Sequence, residues 1–148
     1  MTAGKPLPQA VLSSLHLAVR YTTNPRRVLI IEDNLDSVRA LAALIEDMGH
    51  RVQYAINGYA GLEVGRRLRP DFVFLDLALP GIDGMETCRR MKDDGAFKNA
   101  RIFALTAYGD EEHRVRARSA GCELHLVKPV NAQTLFDVLE SSIPITRA

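Results

Sequence analysis

Val28-Leu29-Ile30-Ile31-Glu32-Asp33-Asn34 sets four apolar side chains in an unbroken row, then two acids. A strand with one wet face alternates apolar and polar residues. A continuous run of this length instead fits a strand covered on both faces, as in a parallel sheet. Three more runs share the character: Phe72-Val73-Phe74-Leu75, Ile102-Phe103-Ala104-Leu105 and Leu124-His125-Leu126-Val127. Arg51-Val52-Gln53-Tyr54-Ala55 is a weaker fifth. Helical patterns separate the runs. Leu35, Val38, Leu41, Ile45 and Met48 recur at three and four residues, and Gly49 then stops the helix. Residues 58–68 form a second pattern, with Leu62 and Val64 inward and Arg66, Arg67 and Arg69 in solvent. Residues 83–93 place Met85, Cys88 and Met91 on one side. Residues 110–120 end at Gly121, and residues 131–143 begin at an Asn131 cap, with Leu135, Val138, Leu139 and Ser142 on one face. Strand then helix, five times over residues 26–143, predicts a doubly wound α/β sheet with right-handed crossovers. Its functional groove lies at the carboxyl ends of the strands.

The chain has 148 residues, enough for one domain. No apolar run approaches the ~18 residues of a membrane helix, and the N-terminal segment lacks the pattern of a secretion signal. Two cysteines, Cys88 and Cys122, make no disulfide framework and point to a reducing, cytoplasmic compartment. The net charge of +1 gives no overall bias toward nucleic acid. Its distribution is uneven. Residues 1–31 carry Lys5, Arg20, Arg26 and Arg27 and no acid, whereas residues 32–148 carry 15 basic and 18 acidic side chains. Residues 1–25 read as an N-terminal extension bounded by Gly4, Pro6, Pro8 and Asn24-Pro25. Val11, Leu15, Ala18 and Val19 allow a short helix there that docks on the domain or on a second chain; a partly ordered leader is the plainer reading.

Glu32 and Asp33 follow the first run, Asp76 follows the Phe72 run, Thr106 follows the Ile102 run, and Lys128-Pro129 follows the last. Singly, each has an ordinary reading: Asp33 competes with Asn34 to cap a helix, Asp76 starts a turn, Thr106 caps the fourth helix, and Lys128 is a surface charge. Together they place three carboxylates, a hydroxyl and an ammonium at one end of a sheet. Clustered carboxylates repel and raise each other's pKa. A hard divalent cation relieves this, and an oxygen-only donor set suits Mg²⁺ rather than zinc. With Lys128 and Thr106 beside it, such a site is suited to a phosphoryl group, with Asp76 on the central strand as nucleophile.

This pattern resembles the receiver domain of two-component response regulators, of the CheY-like single-domain type. The resemblance covers residues 27–143 and rests on four blocks in the family's order: 28–34, 74–84, Ala104-Leu105-Thr106-Ala107 and Val127-Lys128-Pro129. It implies a flavodoxin-like, three-layer αβα fold with five parallel strands in the order 2-1-3-4-5 and five helices. It implies that Asp76 accepts phosphate from a sensor histidine kinase or a phosphotransfer protein. Glu32, Asp33, Asp76 and the Ala78 backbone carbonyl would hold Mg²⁺, Thr106 would be the switch hydroxyl, Lys128 would bind phosphate, and the Lys128-Pro129 peptide bond would be cis. The receiver would occupy residues 26–145 with no output domain, acting through a downstream protein target and without direct DNA binding. A dimer would use the extension or the face of the fourth helix, fifth strand and fifth helix. Apart from its own phosphorylation and dephosphorylation, the resemblance implies no enzyme.

Three positions depart from the family's commonest pattern. His125 stands where an aromatic switch residue is usual; it either points to solvent or fills the space that Thr106 vacates on activation. Ala78 and Tyr108 flank the phosphate, and Ala78 offers no group to orient water, so slow dephosphorylation is expected. Arg114, Arg116 and Arg118 read as a solvated face with partial charge pairing to Glu111 and Glu112. A flavin module is disfavoured by the acidic 32–36 loop, and an aspartyl phosphatase by Ala78 in place of a second acid. A phosphorylation-independent adaptor of the same fold, or a receiver cut from a hybrid kinase, stays open.

Overall fold

The computed structural model describes residue 22 and residues 24–107, 109 and 111–140. Its strands are β1 (Arg27–Ile31), β2 (Arg51–Ala55), β3 (Phe72–Asp76), β4 (Arg101–Thr106) and β5 (Leu124–Val127). They alternate with helices α1 (Leu35–Asp47), α2 (Gly58–Leu68), α3 (Gly84–Lys92), α4 (Glu111–Ala120) and α5 (Ala132–Glu140). A short 3₁₀ turn, Gly95–Phe97, follows α3. The strands are parallel in the order β2-β1-β3-β4-β5. The last helix pattern runs past Glu140, so Ser142 and Ile143 lie outside the described residues.

Successive residues of β1, β3 and β4 face opposite layers, which is why their runs are apolar throughout. Leu29, Ile31, Val73, Leu75, Ile102 and Ala104 pack with α2, α3 and α4 side chains. Val28, Ile30, Phe72, Phe74, Phe103 and Leu105 pack with side chains of α1 and α5. Phe103 stacks between Phe72 and Phe74, with centroids 5.9 and 5.6 Å away. β2 read weakly because it is an edge strand: Arg51, Gln53 and Tyr54 are exposed and only Ala55 is buried.

Helix starts follow local side-chain chemistry. Asn34, Asn57, Asp83 and Asn131 each accept a hydrogen bond from a backbone N–H three residues on, of Ser37, Ala60, Glu86 and Thr134. Asn34 thereby takes the cap and leaves the Asp33 carboxylate without one. Thr106 does not cap α4, which begins five residues later at Glu111. In α4, Arg114 pairs with Glu111 as the charge pattern suggested.

The chain enters the domain along a specific path. Thr22, buried, donates its N–H to the Met48 carbonyl at 2.7 Å. The Arg26 N–H donates to His50 Nδ1 at 3.0 Å. The His50 side chain is fully buried, with Nε2 3.6 Å from Glu140 Oε1. Burial lowers the His50 pKa; Glu140 works to raise it and Arg26 to lower it further. Above about pH 6.5 the imidazole is neutral in folded and unfolded chains alike. Below it the unfolded chain takes up the proton first, so this group's contribution to stability falls as pH drops, by at most about 1.4 kcal/mol per pH unit. In urea unfolding, His50→Gln is expected to flatten the loss of stability between about pH 6.5 and 5 relative to the unsubstituted chain. Parallel pH profiles for the two chains would contradict this.

Candidate functional site

The parallel register puts the carboxyl ends of β1, β3, β4 and β5 on one edge. Asp76 is the last residue of β3, Glu32 follows β1, Thr106 ends β4, and Lys128 follows β5. The Lys128 N–H donates to the Thr106 carbonyl at 2.8 Å, continuing the ladder one step beyond β5. The Lys128-Pro129 bond is cis. α3 starts against the end of β3: a Cβ on Gly84 would lie 2.4 Å from the Asp76 carbonyl oxygen, so only glycine permits this approach. Its sequence signal is Asp83-Gly84 at a helix start.

Lys128 Nζ lies 3.1 Å from both Glu32 Oε2 and Asp76 Oδ2. Asp76 Oδ1 accepts the Ala78 N–H at 2.9 Å, and Glu32 Oε1 accepts the Asn34 N–H at 3.3 Å. Glu32 and Asp76 are buried. Asp33 is exposed, and one carboxylate oxygen from each of Glu32, Asp33 and Asp76 lies within 4.8 Å of the others. Lys128 is thus no ordinary surface charge.

Glu32 and Asp76 do not simply raise one another. Burial, joined by the contact with Asp76, pushes Glu32 up to about 7 against the pull of Lys128. Burial works to raise Asp76 too, but hydrogen bonds with Glu32, the Ala78 N–H and Lys128 outweigh it and hold Asp76 below its usual range. Burial opposes the Lys128 charge, yet Glu32 and Asp76 keep its pKa raised. Asp76 therefore favours the ionised carboxylate, while Glu32 takes up a proton near neutrality.

His125 is buried on β5 beside Ala104, which removes its solvent-facing reading. Ala78 is exposed. Tyr108 lies outside the described residues.

Replacing Lys128 leaves two buried carboxylates without their cation. Lys128→Met is expected to destabilise the fold by about 1–2 kcal/mol at pH 8, after allowance for the partly exposed ammonium. The loss shrinks at pH 5, because carboxylates raised in the folded state take up protons there. Chemical denaturation at both pH values checks this; an equal loss at both would contradict it.

Residues 28–140 match the family of response regulator receiver domains. The chain is 33% identical over 120 residues to the polar-differentiation response regulator DivK of Brucella anthropi, covering 79% of this chain and 95% of that one. The receiver domain of sensor histidine kinase PA1611 of Pseudomonas aeruginosa, with magnesium coordinated in its active-site cleft, superposes with a TM-score of 0.73 at 26% identity, over 79% of this chain and 96% of that one. A Burkholderia pseudomallei response regulator with a phosphorylated aspartic acid and a calcium ion superposes with a TM-score of 0.71 at 28% identity, over 78% of this chain and 67% of that one. A buried aspartate at the end of the third of five parallel strands, faced by the lysine that follows the fifth, is thus accompanied by similarity across nearly the whole described fold, and the chain belongs to the response regulator receiver domain family.

Proposed function

We propose that this receiver accepts a phosphoryl group on Asp76 from the phosphohistidine of a sensor histidine kinase or a phosphotransfer protein. The observation that carries the reading is the Asp76 carboxylate, buried, ionised and held by the Ala78 N–H and Lys128 beside two further acids. The donor set fits Mg²⁺: it is all oxygen, and the Asp33 carboxylate has no hydrogen bond or ion pair among the described residues. Glu32, Asp33, Asp76 and the Ala78 backbone carbonyl would hold the ion. When bound, the ion supplies positive charge that offsets the phosphoryl oxygens.

An Asp76 carboxylate oxygen attacks phosphorus in line. The donor's P–N bond breaks, and the leaving imidazole keeps the electron pair and takes a proton. Lys128 neutralises one phosphoryl oxygen, and the Thr106 hydroxyl donates to another. Thr106 then draws away from β5, where the buried His125 fills the space it leaves. Ala78 carries no side-chain group to place an attacking water, so the acyl phosphate persists. The magnesium-bound receiver and the phosphorylated regulator among the similar structures support this reading.

The signal leaves through protein contacts in the cytoplasm rather than DNA. The receiver spans residues 26–145. The breadth of the match to DivK, 95% of that protein, supports this. The face of α4, β5 and α5, with Val115 and Val127 exposed, is the candidate surface for a downstream target or a second copy, and residues 1–25 are a second candidate for dimer contacts. The receiver of a hybrid kinase is the second reading, favoured by the likeness to the PA1611 receiver.

Incubation with acetyl phosphate or phosphoramidate and Mg²⁺, followed by intact mass, tests the proposal. A gain of one phosphoryl group is expected, absent in Asp76→Asn and decaying over minutes once donor is removed. No gain would favour a phosphorylation-independent adaptor, decay within seconds would overturn the persistence, and steady phosphate release from an unrelated phosphomonoester would indicate a phosphatase.

A further inference from the structure

The cysteines are 34 positions apart in sequence, yet their sulfurs lie 3.4 Å from each other. Cys88 is on the buried face of α3, and Cys122 follows the Gly121 turn that ends α4. Both are buried thiols, and the Cys122 thiol donates its hydrogen toward Cys88 Sγ. The signalling reading uses neither. We propose that Cys88 and Cys122 form a redox-modification site, which a peroxide converts to an intramolecular disulfide tying α3 to the α4–β5 junction.

The two sulfurs have different roles. The hydrogen bond from Cys122 lowers the Cys88 pKa against burial, and the Lys92 and Arg89 charges assist. The Cys122 thiol is pushed far up by its contact with Cys88 and by burial. Cys88 is therefore the sulfur that ionises more readily to the thiolate, the nucleophilic form of the group. It attacks the peroxide O–O bond and becomes a sulfenic acid, releasing hydroxide that leaves as water with the proton Cys88 gave up. Cys122 sulfur attacks the sulfenyl sulfur and expels a second hydroxide, which takes the Cys122 proton. In sum, two thiols and one hydrogen peroxide give one disulfide and two waters.

Access follows from how lightly α4 is held. Only Ala117 and Ala120 of its ten residues are buried, so this helix has little apolar area opposing a local opening. Cys122 lines a small surface cleft with Arg114, Arg118 and His125, whereas Cys88 is fully buried behind it, so peroxide reaches Cys88 when α4 opens. Once closed, the disulfide replaces that weak anchorage with a covalent one, and openings of α4 become rarer.

The full chain, treated with a few equivalents of hydrogen peroxide, is expected to lose two hydrogens in mass and to yield a crosslinked Cys88–Cys122 peptide. Cys88→Ser and Cys122→Ser should each fail to give the crosslink while keeping the native circular dichroism spectrum. In the oxidised protein, α4 amides should exchange hydrogen about tenfold more slowly than in the reduced protein. The proposal is overturned if both thiols stay open to alkylation after unfolding, if each cysteine gains oxygens separately, or if the crosslink leaves α4 exchange unchanged. Asp76→Asn should oxidise normally, so failure of this site and failure of the phosphorylation reading are distinguishable.

Discussion

One ammonium holds the site together. Lys128 Nζ lies 3.1 Å from two buried carboxylates, one 52 and the other 96 residues away in the chain. Without that cation, Glu32 and Asp76 would face each other in a low-dielectric pocket, and burial alone would drive both toward the neutral acid. With it, the proton settles near Glu32 and Asp76 stays charged. The neighbours of Asp76 thus favour its charged form without any bound group.

The sheet makes this arrangement possible. Parallel strands bring all their carboxyl ends to one edge, so residues distant in sequence converge there. The central strands are anchored on both faces by apolar side chains that leave no freedom of register. Asn34 caps α1 and so leaves Asp33 available at the surface, while Gly84 lets α3 start against the Asp76 backbone. The anchored framework contrasts with α4, whose buried face is two alanines. A rigid edge that positions charge beside a lightly held helix is a suitable layout for passing a change at Asp76 to another protein.

Much of this was legible in the residues. The apolar runs of β1, β3, β4 and β5 announced buried strands, and the acids, threonine and lysine after them marked the site. β2 was faint because an edge strand with exposed Arg51, Gln53 and Tyr54 carries little apolar signal. The division of charge between Glu32 and Asp76 was not legible, since it depends on which carboxylate the lysine, the Ala78 N–H and burial favour in three dimensions. His125 could be read as facing either way until β5 was placed beside β4. The contact of Cys88 with Cys122 joins distant segments through helix packing, and that of His50 with the Arg26 N–H sits one residue before the β1–β2 pairing; sequence spacing has a pattern for neither.

Lys128 and a divalent cation at this site would draw on the same carboxylates. Calorimetric titration with Mg²⁺ tests it most directly, comparing the unsubstituted chain with Lys128→Met and Asp33→Asn. One ion per chain is predicted, bound more tightly once the competing ammonium of Lys128 is gone and lost or severely weakened without the Asp33 carboxylate. An ion that binds equally well in all three chains, or in none, would contradict the account.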